Sequence, residues 1–474
     1  MSDQDLKKKI LQGGIVLAIR QLITSVFSLV SVLVVARVLG PEKYGIVAIA
    51  MGIFYFLIWT NKLGIGVYVL RQTELPKETP RQILAFYNTL GMGLALLLWL
   101  LAPALGDWTK STAVIPIIRF LALPLWLELL GNASIVMMER ELMFAEIGLG
   151  ETIGQMANYA VSLPLVLTGY GYWGPIIGLA SQYMAELVFV RYHKPVPFQF
   201  HWRSSFIFPA LQTGLVYTGA TWILSLRTLT VTLFVTRFAG IEAAGIVSLA
   251  VRFADQLAVF RLVLNRMSIS VLAKLLGDPD RIRSAISQGM VYQVLLVSPA
   301  CATFACVSSW LIPLMFGSKW LPSAYLFPFI ATGVMMTAMF ELHSSALYAA
   351  GNNREVGKFN AGYVALQWLA AIFGLNLFGI WGYGMAELAT LPSYGLIHQA
   401  IVKLCGAPQY RNALLLVLAT LPALFAGPWL PSWVGLLLLT ACYVAVFAIS
   451  PGLRKILFEL YGAWKGGRQA LTED

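Results

Sequence analysis

Two polar stripes run through otherwise apolar stretches of this chain, and they carry residue types suited to holding an anion in a low-dielectric setting. The first comprises Arg20, Gln21, Thr24, Ser25 and Ser28; the second comprises Tyr217, Thr221, Trp222, Ser225, Arg227 and Thr228. Positions 21, 25 and 28 advance by four and three residues, and Thr218, Thr221, Ser225, Thr228 and Thr232 keep the same rhythm, so each set shares one face of a helix. Guanidinium groups bind carboxylate or phosphate oxygens through paired N–H donors, and hydroxyls add further donors and acceptors. Two roles compete for the stripes. Small hydroxyl residues let membrane helices approach and bond across their seam. The same residues also suit the wall of a water-filled, cationic cavity; Arg20 and Arg227 favour that role, because an arginine there needs an acidic neighbour or water.

A charge near the bilayer midplane costs at least about 2.5 to 3.5 kcal/mol, so every ionisable group inside an apolar run is a functional candidate. Arg252 and Asp255 are three apart on one helix face, where they form either a structural ion pair or a coupling site. Glu387 lies deep in its run and is a candidate for titration during a working cycle. Cys301, Cys306, Cys405 and Cys442 have neither paired nor metal-ligand spacing, and are expected to be packing residues. There is no Walker-type glycine loop and no cluster of Asp or His on a sizeable loop, so neither an enzyme, a cofactor, a metal nor direct use of ATP is expected.

The elements that must position these residues follow from composition. Hydrophobic residues make up 58% of the 474 residues and charged residues 12%, about half the roughly 25% of soluble domains. That composition defines an all-α, polytopic membrane protein. A ruler of about 20 apolar residues per crossing predicts fourteen spans, near 12–36, 43–60, 82–105, 112–136, 147–168, 171–190, 210–236, 243–262, 286–315, 321–343, 357–377, 380–402, 412–429 and 432–450. With a cytoplasmic N-terminus, twenty-four of the thirty-three Lys and Arg fall on the cytoplasmic side, five outside and four within spans. Both termini are therefore expected in the cytoplasm. The net charge of +11 is spread through short loops, which explains it by orientation and argues against nucleic acid. The run after Lys7, Lys8 and Lys9 lacks a small-residue cleavage site and is expected to be a retained span rather than a signal peptide.

The chain also repeats itself. Residues 36–50 and 236–250 match without a gap at Arg37/Arg237, Gly40/Gly240, Glu42/Glu242, Gly45/Gly245, Ile46/Ile246, Val47/Val247 and Ala50/Ala250. In each copy an apolar run ends at the Arg, a short glycine-bounded turn follows and another run begins, which predicts a helical hairpin at the outer face. The register pairs Gln21 with Thr221, Ser25 with Ser225 and Ser28 with Thr228. Thr79-Pro80 and Asp278-Pro279 read as capped helix starts 199 positions apart, and Gly171-Tyr172-Trp173-Gly174 resembles Gly379-Ile380-Trp381-Gly382. The reading is a six-helix lobe over 1–190, a basic and aromatic cytoplasmic linker over 191–209, a parallel six-helix lobe over 210–402, and two added helices with a basic tail over 403–474.

The segment Ala36-Arg37-Val38-Leu39-Gly40-Pro41-Glu42-Lys43-Tyr44-Gly45 resembles the signature at the end of the first span in the oligosaccharide, or polysaccharide repeat-unit, flippases (Wzx-like). These belong to a superfamily that also holds the multidrug and toxin extruders and the lipid II flippases. The resemblance implies a V-shaped pair of bundles that alternates between inward- and outward-facing states and moves an undecaprenyl-diphosphate-linked oligosaccharide outwards. It implies a lipid-linked partner, membrane lipids, polysaccharide polymerase and other assembly proteins nearby, and a monomer in the bacterial inner membrane. Arg20 and Arg227 would meet the diphosphate, and Tyr217 and Trp222 the sugar. A multidrug extruder would want an acidic cavity, and a polymerase or ligase a large outer loop with catalytic residues; neither is present in the sequence.

Overall fold

Long apolar runs with no water to satisfy their backbone groups must close their hydrogen bonds internally, and helices do so. A computed structural model describes residues 3–61, 63–72, 74–259, 268 and 272–458, without the side chains of 3–25, 61, 67, 71, 216, 217, 220 and 221. The described residues form helices, with no strand among them. In chain order these are α1 (Asp3–Asn61), α2 (Ile65–Arg71), α3 (Thr79–Trp108), α4 (Val114–Arg140), α5 (Phe144–Leu167), α6 (Trp173–His193), α7 (Ser204–Ser225), α8 (Thr236–Ala239) and α9 (Ile241–Leu257). They continue with α10 (Pro279–Phe316), α11 (Leu321–Ala349), α12 (Asn353–Phe378), α13 (Trp381–Ala389), α14 (Tyr394–Cys405), α15 (Arg411–Ala426) and α16 (Ser432–Ile449). Nine helical stretches among the described residues are long and apolar enough to cross a membrane. The protein is a multi-pass membrane protein.

The turn expected in the repeated motif is shorter than a loop. In α1 it is the single residue Gly40, at φ 70 and ψ 172, and Pro41 opens the next helical segment. Gly240 does the same between α8 and α9, at φ 92 and ψ 172. That backbone region belongs almost exclusively to glycine, so both copies spell the same break with the same residue. The two expected caps diverge. Asp278 accepts a hydrogen bond from the Arg281 N–H at 3.1 Å and caps its helix, whereas Thr79 is already helical, with Glu78 before it.

Two compact units are present, one of Met1–Leu249, Met315–Trp320 and Asn360–Ala386, the other of Ala250–Leu314, Leu321–Phe359 and Glu387–Asp474. In the first, Phe54, Ile83, Ile117, Leu121 and Leu125 form a core between α1, α3 and α4. Its helices approach closely where side chains are absent: a Cβ at Gly52 would meet the Thr232 hydroxyl, and a Cβ at Gly64 would meet the backbone of Gly214. The linker after α6 is extended, with Arg191 donating to the Val196 carbonyl at 2.6 Å and stacking over Phe198. Glu78 holds its far end through His201 and Arg203, each at 3.0 Å. In the second unit, Cys306 fills the space left by Gly427 and Gly435. Cys301, Cys306 and Cys405 are buried free thiols, in keeping with packing roles.

Candidate functional site at the helix break after α7

The stretch that carries Trp222, Ser225, Arg227 and Thr228 is not a regular helix. After α7 the chain makes a 3-10 turn over Leu226–Thr228, then a π segment over Val231–Val235, before α8. The hydroxyls of the stripe sit at this break and bond to their own backbone. Ser225 Oγ donates to the Trp222 carbonyl at 2.7 Å, Thr228 Oγ1 to the Ser225 carbonyl at 2.7 Å, and Thr236 Oγ1 to the Val231 carbonyl at 3.1 Å. Such bonds compete with the regular helical ladder and bend it. Interrupted helices inside transporter spans are where irregular backbone lines substrate and ion sites.

Arg227 lies in the 3-10 turn, and its guanidinium carbon is 5.4 Å from the centre of the Tyr363 ring. A guanidinium over a ring uses its face there, while its N–H donors lie in its plane. Tyr363 is fixed in place, only 2% exposed, on a helix whose buried polar side includes Asn360 and Gln367. Thr230 ties that helix to the break: its hydroxyl donates to Gln367 Oε1 at 3.3 Å and accepts from the Trp368 indole N–H at 3.1 Å. Phe234 meets Trp368 edge-to-face at 5.2 Å. The Trp222 indole nitrogen is buried and has no hydrogen-bond partner among the described residues. Arg227 and Trp222 therefore place a guanidinium and an indole N–H along one interrupted helical stretch, groups of a kind suited to an anion with neighbouring acceptors.

Arg20, Gln21, Thr24, Ser25, Tyr217 and Thr221 lie outside the residues whose side chains are described. Ser28 is half-buried, Ser225 buried and Thr228 exposed. Arg252, Asp255 and Glu387 belong to the second unit. Arg252 and Asp255 are exposed on α9. Glu387 is wholly buried, and its carboxylate sits where a Cβ on Gly333 would come within 3.0 Å of Oε2. Among the described residues there is no group of three or more His, Cys, Asp or Glu arranged to hold a metal.

Tyr363, Gln367 and Asn360 were not singled out from sequence. Positions 360, 363 and 367 advance by three and four, the rhythm of the stripe around Arg227, and that spacing is the available signal. A second polar group joins three residues of the second unit. The Tyr410 hydroxyl bridges His343 Nε2 and His398 Nδ1, each at 2.8 Å. Burial pushes the Tyr410 phenol well up, so the bridge keeps its O–H.

The fold defines an all-helical, multi-pass membrane protein among the described residues. The chain belongs to the polysaccharide biosynthesis protein family, whose profile matches residues 34–325. It is 24% identical over 324 residues to the lipopolysaccharide biosynthesis protein WzxC of Escherichia coli (strain K12), covering 66% of this chain and 65% of that one. It is 23% identical over 310 residues to the succinoglycan biosynthesis transport protein ExoT of Rhizobium meliloti (strain 1021), covering 63% and 60%. The matches thus span less than two thirds of each relative's length. Among solved structures it shares the fold of the lipid II flippase MurJ in an inward closed conformation, with a TM-score of 0.72 at 14% identity, over 92% of this chain and 98% of that one. It also shares the fold of an inward-facing multidrug resistance transporter of the MATE family, with a TM-score of 0.64 at 14% identity, over 82% and 98%.

Proposed function

We propose that the protein carries a polyprenyl-diphosphate-linked oligosaccharide, a polysaccharide repeat unit on undecaprenyl diphosphate, from the cytoplasmic to the outer leaflet by alternating access. The observation that carries this reading is Arg227, held over Tyr363 at the break of an interrupted span, in a chain of the polysaccharide biosynthesis protein family. A diphosphate has clustered anionic oxygens that a guanidinium fork engages in pairs. The Trp222 indole N–H adds a donor for a sugar or phosphate oxygen, and the polyprenyl tail stays in lipid. In this reading the fourteen spans form two parallel six-helix lobes, 1–190 and 210–402, that rock about the site, with 403–474 added and both termini in the cytoplasm of a bacterial inner membrane. Arg20 joins Arg227 on the diphosphate, and Arg252, Asp255 and Glu387 are candidates for coupling to an ion or to the membrane potential.

The test is the fate of the cargo after depletion of the protein. Lipid-linked repeat units should accumulate in the cytoplasmic leaflet, and Arg227→Ala at normal membrane levels should fail to restore polymer export. Units that reach the outer leaflet but stay unjoined would point to a polymerase instead. The shared fold of a multidrug transporter supports a second reading, export of drugs. A susceptibility panel separates the two, since this cationic site predicts no change toward cationic drugs.

A further inference from the structure

The two copies of the repeated motif do more than mark a duplication, because they pack on each other reciprocally. A Cβ at Gly45 would overlap the Ile241 carbonyl oxygen, and a Cβ at Gly245 would overlap the Pro41 carbonyl oxygen. Positions 41 and 241 are themselves equivalents in the two-hundred-residue register, so each glycine receives the start of the other copy's helix. The approach is backbone on backbone: the same added Cβ at Gly245 would lie 3.1 Å from the Gly45 nitrogen. All of these residues lie in one compact unit.

The motif arginines repeat this exchange one step further out. Arg37 donates to the Met315 carbonyl at 2.8 Å, in the last turn of α10. Arg237 sits over the ring of Trp108, the last residue of α3, at 5.2 Å, and the Trp108 indole N–H donates to the Leu233 carbonyl at 2.7 Å. By the register of the sequence, α3 and α10 are equivalent helices, beginning at Thr79 and Pro279. Each arginine therefore reaches the C-terminal turn of the other copy's helix, the end where a cation is favoured. Tyr44 adds an edge-to-face contact with Trp320 at 5.4 Å.

We infer that this reciprocal clasp is the outer gate of the transport path, closed in the present conformation. The inference rests on the alternating-access reading above, which requires the two motif copies to separate once per cycle. A contact built from glycine backbone and two arginines at helix ends suits repeated opening. At its centre main chain meets main chain, and each arginine can exchange its carbonyl or ring for water. Arg37 and Arg237 are thus positioning residues of the gate and not ligands of the cargo.

The test uses the full-length protein in intact cells, with single reporter cysteines at Val47→Cys or Val247→Cys, two buried positions beside the clasp. Labelling by a membrane-impermeant thiol reagent is counted above that of the parent chain with its own four cysteines. Gly45→Ala and Gly245→Ala should each raise reporter labelling at least about fivefold, the population change produced by the low end of an overpacking cost. Gly93→Ala, with nothing near its Cβ, is the control and should not. Arg37→Gln and Arg237→Gln, which insert nothing into the contact, should raise labelling in the same direction by a smaller factor. Unchanged labelling in glycine variants present at normal membrane levels overturns the gate, as does a rise seen only with a permeant reagent. If the glycine variants fail to reach the membrane, unchanged labelling in both arginine variants overturns it. Polymer export is followed in the same cells: labelling that responds while export never depends on the protein refutes the proposed cargo and leaves the gate standing.

Discussion

Arg227 shows how much of a side chain's role is set by what lies beneath it. An arginine inside a span is costly in isolation, and here part of that cost is offset by an aromatic face whose attraction reaches about 2 kcal/mol when desolvated. A guanidinium's charge and its fork of donors are separable by substitution. Arg227→Lys keeps the charge and loses the fork; polymer export should fall to a level between wild type and Arg227→Ala, which a repeat-unit complementation assay measures. Tyr410 is the second informative residue. Tyr410→Phe leaves the buried His343 and the half-buried His398 without their shared hydroxyl, and should cost about 1 to 3 kcal/mol, read as a lower thermal unfolding midpoint in detergent. Sequence alone showed Arg227 and its hydroxyl neighbours, because polar residues stand out in an apolar run. It did not show Tyr363 beneath the guanidinium, since a tyrosine 136 positions away carries no pairing signal of its own.

At the scale of elements, the apolar ruler located the helices well and their irregularities poorly. The predicted run near 82–105 lies within α3, and that near 112–136 largely within α4. The predicted run near 210–236 hides a 3-10 turn and a π segment, because periodicity averages over a turn and cannot register a change from one hydrogen-bond pattern to the next. The hydroxyl spacing that suggested a smooth polar face is also what lets Ser225 and Thr228 bond backward and break that face. The one-residue breaks at Gly40 and Gly240 make a cleaner test of element geometry. Neither has an atom within 4 Å of an added Cβ, so alanine there brings strain without a clash. Gly40→Ala and Gly240→Ala should each lower stability by about 1 to 3 kcal/mol and by similar amounts, measured by thermal unfolding in detergent.

At the scale of the molecule, the clearest sequence signal was the distribution of Lys and Arg, and it makes an orientation prediction that needs no transport assay. A cysteine at Glu74, exposed in the segment before α3, should react with an impermeant thiol reagent only after cells are opened. One at Thr112, exposed between α3 and α4, should react in intact cells. The opposite pattern would invert every span and move the clasp to the cytoplasmic face. The reciprocal seating of Gly45 and Gly245 has a consequence for how the chain can change over generations. A contact formed by two missing side chains offers no partner to compensate a substitution, since a larger residue in one copy is blocked by main chain that the other copy cannot trim away. Each glycine is held in place by the opposite copy's backbone. Drift is then free to erase likeness elsewhere in the two halves while this one stretch keeps seven of fifteen positions in common.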